Sequence, residues 1–168
     1  VRAQATEGFQ TYWVCPLVEE SDKVEAKAAI AEHRRLSDEV FPDLEVALVH
    51  GRLSSDDKDA AMQRFRRGEA HVLVSTTVIE VGVDVPMATV MVIENAERFG
   101  ISQLHQLRGR VGRGGGKSYC VLFGDAATDD GADRLEAVAA TTDGFELAEE
   151  DLRIRGEGQL FGERQSGL

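Results

Sequence analysis

Short apolar runs rich in β-formers recur along this chain, and the gaps between them carry residues at helical spacing. Thr11–Val18 (TYWVCPLV), Val46–Val49, Val72–Ser75, Thr89–Glu94 and Ser118–Phe123 are the runs. A strand buried on both faces is apolar at nearly every position, whereas a half-buried strand alternates. Strands of the first kind, separated by helices, predict a parallel sheet with helices on both faces, an α/β fold.

The intervening segments read as helices with definable ends. Lys23–Phe41 places Val24, Ala28, Ala31, Leu36 and Val40 at roughly helical spacing, behind a turn at Glu19–Asp22 and ahead of Pro42, which stops it. Ser54 is the expected cap of the next helix, with Asp56 and Asp57 in the first turn. Ala60, Ala61, Met62 and Phe65 supply its buried face, and Gly68 its stop. Ser102 is the expected cap of a third helix that carries Gln106, Arg108, Arg110 and Arg113. After Gly124 the alternation ends. Asp133–Thr141 and Phe145–Arg155 are predicted as a helical hairpin broken at Thr142-Asp143-Gly144, followed by a glycine-rich loop over Gly156–Leu168. The division drawn from this change is a sheet domain over 1–128 and an appended arm over 129–168.

Charge separates the same two regions. The chain has net charge −11, and residues 129–168 contain 11 Asp/Glu against 4 Lys/Arg. An arm of that sign suits a solvated or partner-docking face better than a phosphate contact. No apolar run approaches the roughly 20 residues that span a bilayer. Cys15 and Cys120 sit in separate apolar runs and read as buried, reduced hydrophobes, and no His/Cys cluster has metal-ligand spacing. The chain opens on Val1 and closes on QSGL, and both ends have the look of a segment cut from something longer.

The polar residues that stand out follow strand ends, where ligands collect in open α/β sheets. Ser75-Thr76-Thr77 and then Gly82-Val83-Asp84 follow the third strand. Threonines there can donate to phosphate oxygens, Gly82 permits close backbone approach, and Asp84 can accept from a ribose hydroxyl or a water. His50-Gly51-Arg52 follows the second strand, where it could meet a phosphate backbone. On a continuous helix Gln106, Arg110 and Arg113 share one face, with Gly109 and Gly112 keeping it open. Guanidinium groups grip phosphate oxygens in several places at once, so this surface is expected to face phosphate.

Gly112–Ser118 (GRGGGKS) imitates a phosphate-binding P-loop without meeting its spacing. That motif needs four residues between its first glycine and Gly-Lys; Gly112 leaves three, and Val111 holds the required position. The loop also runs from helix into strand, the reverse of the P-loop order. The chain therefore holds phosphate-sensing arginines without a loop to grip a nucleotide.

These segments resemble the motifs of superfamily 2 helicases. VCPLVEES resembles motif IV, LVHGRL the motif between IV and V, VLVSTTVIEVGVDVP motif V, and QLHQLRGRVGRG motif VI, in the usual order between Thr11 and Phe123. The resemblance implies a second RecA-like motor domain. RLEAVAATTDGFELAEEDLRIRGEGQLFGERQSG resembles the translocation motif shared by RecG and the transcription-repair coupling factor. With ENAERFGISQLHQLRGRVGRG it is most similar to the RecG family of bacterial branch-migrating DNA helicases.

Several expectations come with that resemblance. Arg110 and Arg113 match the motif VI arginines that reach the γ-phosphate of ATP, and Gln106 matches the glutamine of the same interface. Gly82 and Asp84 match motif V positions near the nucleotide, and Thr76 and Thr77 match those near DNA. Arg134, Arg155 and Gln165 match translocation-motif positions that couple motor closure to movement on the duplex. Arg155 is expected to pair with carboxylates of neighbouring helices, and Gln165 to sit on a loop. ATP and Mg²⁺ would be held mainly by a first motor domain of the same protein, which would also bring a DNA-recognition domain. The substrate would be branched double-stranded DNA, with no membrane involved, in the bacterial cytoplasm at the nucleoid. The alternatives are the equivalent piece of the transcription-repair coupling factor and a non-catalytic nucleic-acid-binding module.

Overall fold

The apolar runs pair into one five-stranded sheet of order β2-β3-β1-β4-β5, parallel throughout. The strands are β1 Gln10–Val14, β2 Val46–Val49, β3 Val72–Ser75, β4 Ala88–Ile93 and β5 Tyr119–Leu122. The structure is a computed structural model and describes residues 1–16, 22–76, 84–125 and 127–165, apart from the side chains of Asp22 and 157–165.

Each face of the sheet buries its own core. Trp13, Cys15, Val72, Val74, Val90 and Val92 meet Ala29 of α2 (Asp22–Arg35), Leu36 of the π turn Leu36–Val40 that extends it, and Phe41 just beyond. Tyr12, Val14, Leu73, Met91 and Ile93 meet Phe65 of α3 (Ser55–Arg66) and Ile101 and Leu104 of α4 (Ile101–Arg108). Burial of a side chain such as Leu or Phe contributes about 1.5–3 kcal/mol, so two such cores hold the sheet rigid. Gln10 locks β1 to this second face: its buried amide nitrogen donates to the carbonyls of Phe65 and Ala70, the latter at 2.9 Å.

Helix ends follow local chemistry. Ser54 Oγ accepts from the Asp57 amide at 3.1 Å and caps α3, and Gly68 turns the chain out with φ +77°. A short helix, α1 (Arg2–Thr6), precedes β1 and was not foreseen. Two expectations need correcting, those for the α4 cap and for the tail, and one falls outside the described residues. The N-cap of α4 is Gly100, whose amide donates to Gln103 Oε1 at 3.0 Å, so Ser102 already lies inside the helix. The turn expected at Glu19–Asp22, apart from Asp22, and the end of the first run at Leu17 and Val18 fall outside the described residues. The glycine-rich tail is helical as far as Gln165.

That tail belongs to a hairpin of α5 (Asp129–Ala140) and α6 (Gly144–Gln165). α5 begins four residues before the predicted Asp133 because Thr128 Oγ1 caps it, accepting from the Gly131 amide at 3.1 Å. α6 continues through Gly156, Gly158 and Gly162. Each glycine disfavours a helix by about 1 kcal/mol, but extending a formed helix requires no new nucleus. Val138, Leu147 and Ile154 bury against the α3/α4 core, so the hairpin packs on the same sheet face.

Candidate functional site

The polar residues singled out above divide between opposite edges of the sheet. In a parallel sheet all strands end at one edge, so residues following β2 and β3 share the carboxyl edge. Residues preceding β4 and β5 lie at the amino edge.

At the amino edge, Asp84 meets the loop that follows α4. Arg113 Nη1 lies 4.0 Å from Asp84 Oδ1, and Arg113 Nε donates to the Gly109 carbonyl at 3.0 Å. Both charged side chains are more than half exposed, so this pair adds little to stability. It leaves the guanidinium edge open to an anion. α4 ends at Arg108 with Gly109 as its C-cap, so Arg110 and Arg113 lie beyond the helix and do not share a helical face with Gln106, which corrects the reading from spacing. Gly109 and Gly112 therefore carry no mid-helix penalty. Gly112 has φ +84°, and its amide donates to the Ala88 carbonyl at 3.4 Å. A Cβ on Gly114 would stand 2.5 Å from the Pro86 carbonyl oxygen. These glycines seat the arginine loop on the segment leading into β4. Gln106 is exposed on α4, and Gly82 lies outside the described residues.

One residue missed in the sequence bears on this edge. Tyr12 of β1 is fully buried, its hydroxyl has no hydrogen-bond partner among the described residues, and burial pushes its pKa up to about 12. Arg110, Asp84, Arg113 and then Arg66 are the charges acting on it. An unpartnered buried hydroxyl costs about 1–3 kcal/mol. Nothing in the sequence signals this, since a tyrosine within an apolar run reads as core.

At the carboxyl edge the side chains are more tightly held. The His50 ring is buried, and its Nδ1 accepts from the Arg52 amide at 3.2 Å. Burial, followed by Lys58 and Arg52, lowers its pKa, so the ring is neutral and shapes the turn. Gly51 and Arg52 are exposed. Lys58 Nζ donates to the Gly51 carbonyl at 3.2 Å, which adds an unforeseen second cation beside Arg52. Thr76 is 3% exposed and its amide donates to the Val49 carbonyl at 3.3 Å, so its side chain is turned inward; Thr77 lies outside the described residues.

A carboxyl pair occupies the far side of this edge. Glu94 follows β4 and accepts from Trp13 Nε1 at 2.9 Å. Burial, together with a hydrogen bond to Glu32, raises its pKa to about 7. Glu32 is subject to burial as well, but hydrogen bonds to Arg35 and Glu94 outweigh it and lower its pKa. The next residue, Asn95, is left-handed at φ 47°, a conformation asparagine tolerates. Cys15 and Cys120 are free thiols whose pKa burial raises.

The hairpin is tied to α4 and to its approach. Arg108 Nη1 donates to the Val138 carbonyl, and Arg134 Nη2 donates to the Glu97 carbonyl at 2.8 Å. Arg134 Nε and Glu97 Oε2 are buried without partners among the described residues. Arg155 pairs with Asp151 of its own helix at 3.0 Å rather than with a neighbouring helix, since one turn brings i and i+4 together. Gln165 ends α6 instead of sitting on a loop. Among the described residues there is no group of three or more metal-ligating side chains, and no helix is long and apolar enough to cross a membrane.

The chain is similar in sequence and fold to known helicases. RecG ATP-dependent DNA helicases from Synechocystis and Thermotoga maritima are 54% and 53% identical to it over all 168 residues. That of Escherichia coli K12 is 54% identical over 163 residues. The chain covers 20%, 22% and 23% of those three proteins, so it spans about a fifth of their length. A solved structure of RecG bound to a three-way DNA junction superposes with TM-score 0.75 at 49% identity, over 95% of this chain and 20% of that one. Mycobacterium smegmatis helicase Lhr, bound to single-stranded DNA and AMP-PNP, shares the fold alone, with TM-score 0.59 at 19% identity over 82% of this chain and 18% of that one. Residues 3–115 match the helicase conserved C-terminal domain, and the chain belongs to that family.

Proposed function

We propose that this chain is the second RecA-like motor domain of a RecG-type, ATP-dependent helicase acting on branched DNA, with residues 1–128 as motor and 129–168 as translocation arm. The observation that carries the reading is the amino-edge cluster. Arg110 and Arg113 are presented on a glycine-seated loop beside Asp84, with room for an anion and no P-loop to hold a nucleotide. The residues fit the phosphate end of ATP held, with Mg²⁺, by a first motor domain. Bound there, ATP supplies the phosphoryl group and the free energy of its hydrolysis.

This chain's own part is electrostatic. Arg110 and Arg113 stabilise charge that develops on the transferring phosphoryl oxygens; such arginines are worth about 10³–10⁵ in rate. Gln106, on the last turn of α4, serves the same interface, and Gly82 and Asp84 serve the nucleotide side of motif V. Gly51, Arg52 and Lys58 meet the DNA backbone, with His50 shaping their turn, and Thr76 and Thr77 serve the DNA side of motif V. Arg134, Arg155 and Gln165 relay closure of the cleft through the hairpin to the duplex. A protein built this way works where DNA is, in the bacterial cytoplasm at the nucleoid.

The test is strand separation and ATP turnover by the full-length parent on one forked substrate and on a Holliday junction. Both substrates should be unwound only with ATP, and Arg155→Ala should keep most ATP turnover while losing unwinding. Junction binding that ATP leaves unchanged, without turnover, would instead fit a non-catalytic binding module.

A further inference from the structure

The sheet face that packs on α3 and α4 is apolar except where Tyr12 enters it. The Tyr12 ring lies 5.0 Å from that of Phe65, tilted by 60°, and a phenylalanine would pack there equally well. Its hydroxyl is fully buried with no partner among the described residues. Buried hydroxyls are nearly always bonded, and each exception calls for a reason. The reason lies in what surrounds it: Arg110 leads the charges acting on the hydroxyl, ahead of Asp84 and Arg113. Tyr12 also shares one buried cluster with Val111, the residue after Arg110, so the core hydroxyl lies under the arginine loop.

The two arginines differ in how they are held. Arg113 donates to the Gly109 carbonyl and pairs loosely with Asp84. The guanidinium of Arg110 forms no hydrogen bond or ion pair with a described residue, although it is half-buried. A long side chain left so free needs an anchor before it can act as a preorganised charge. We propose that Tyr12 is the positioning residue of Arg110, its hydroxyl oxygen accepting a hydrogen bond from the guanidinium when that arginine turns to the phosphate. A guanidinium has five N–H donors, so one can serve tyrosine while others face phosphate. The phenol stays protonated at working pH, since burial pushes its pKa up to about 12. Tyr12 itself does not reach the nucleotide. The inference rests on the motor-domain reading of Arg110.

The test is a double-mutant cycle in the full-length parent, using Tyr12→Phe, Arg110→Ala and both together, with ATP turnover on forked DNA as the readout. Tyr12→Phe should leave the unfolding midpoint unchanged or raised. It should lower kcat by roughly tenfold, with KM for ATP within about twofold. In the Arg110→Ala background it should cost nothing further, because the two act as one unit. Turnover by Tyr12→Phe within about twofold of the parent would overturn the inference, as would a fall in kcat accompanied by a lower unfolding midpoint. Should Arg110→Ala keep near-parental turnover, the arginine reading itself fails. Should Arg110→Ala lose turnover while Tyr12→Phe keeps it, only the role of Tyr12 fails.

Discussion

The two edges of the sheet are built on different principles. At the carboxyl edge the His50 ring is buried and bonded, the Thr76 side chain is turned inward, and Lys58 is tied to the Gly51 carbonyl. At the amino edge Arg113 is loosely paired across 4.0 Å, and among the described residues neither the Arg110 guanidinium nor the Tyr12 hydroxyl has a hydrogen-bond partner. A surface that tracks a regular backbone can be finished in advance. One that completes a site on another domain must leave donors unspent until that domain arrives.

The largest effect should come from the unspent donors. In the full-length parent, Arg110→Ala or Arg113→Ala should cut ATP turnover by about 10²-fold or more, with nucleotide affinity falling far less. Steady-state hydrolysis and equilibrium nucleotide binding measure the two quantities separately. A second variant acts on the same edge through its backbone. Gly114→Ala would drive a Cβ to 2.5 Å from the Pro86 carbonyl, whereas Gly116→Ala meets nothing within 4 Å. Gly114→Ala should displace the arginine loop and lower turnover by roughly tenfold, and Gly116→Ala should not; a 1 Å misplacement can cost about 10²-fold, so this is a conservative figure. Equal effects of the two alanines would show that loop position is unimportant.

The carboxyl edge should respond more weakly and in another observable. Arg52→Ala or Lys58→Ala should weaken forked-DNA binding several-fold and reduce the salt slope of log K by about 1 each, leaving turnover at saturating DNA unchanged. The smallest effect concerns Glu94, at this edge but away from Arg52. Its pKa is about 7 in the folded chain against an ordinary 4.5, so the folded state holds the extra proton between those values. Stability from this group is therefore greatest below 4.5 and declines as pH rises to about 7. Glu32, with its lowered pKa, acts in the opposite sense and only below the ordinary carboxylate range. Unfolding midpoints across this range should fall by a few degrees in the parent chain, and the fall should vanish in Glu94→Gln. A parental profile that rises over the same window would contradict the assignment.

Much of this was legible in the sequence because its signals are local. Unbroken apolar runs such as Val72–Ser75 mark buried parallel strands, and Ser54 with Asp57 marks a helix start. Motif strings carried the identity of the arginines, but not their conformation. Gly109 ends α4, which helical spacing alone could not show, because glycine is compatible with both a helix interior and a cap. The tail misled in the opposite sense: its glycines suggested a loop, while α6 continued through them. Chemistry that depends on long-range approach stayed hidden. Tyr12 reaches Arg110 across about a hundred residues of chain, Glu94 meets Trp13 at a separation of 81, and Lys58 closes on Gly51 only once α3 folds back.

The division of labour between the edges is tested most directly by measuring junction-DNA affinity and ATP turnover together, in the full-length parent, for Arg110→Ala and for Arg52→Ala. The account predicts opposite outcomes. Arg110→Ala should bind forked DNA within about twofold of the parent while losing about 10²-fold in turnover. Arg52→Ala should lose affinity several-fold while keeping turnover at saturating DNA, as expected for a phosphate contact worth about one released counterion. Parallel losses of affinity and turnover in both variants would contradict it, since the two edges would then form a single site.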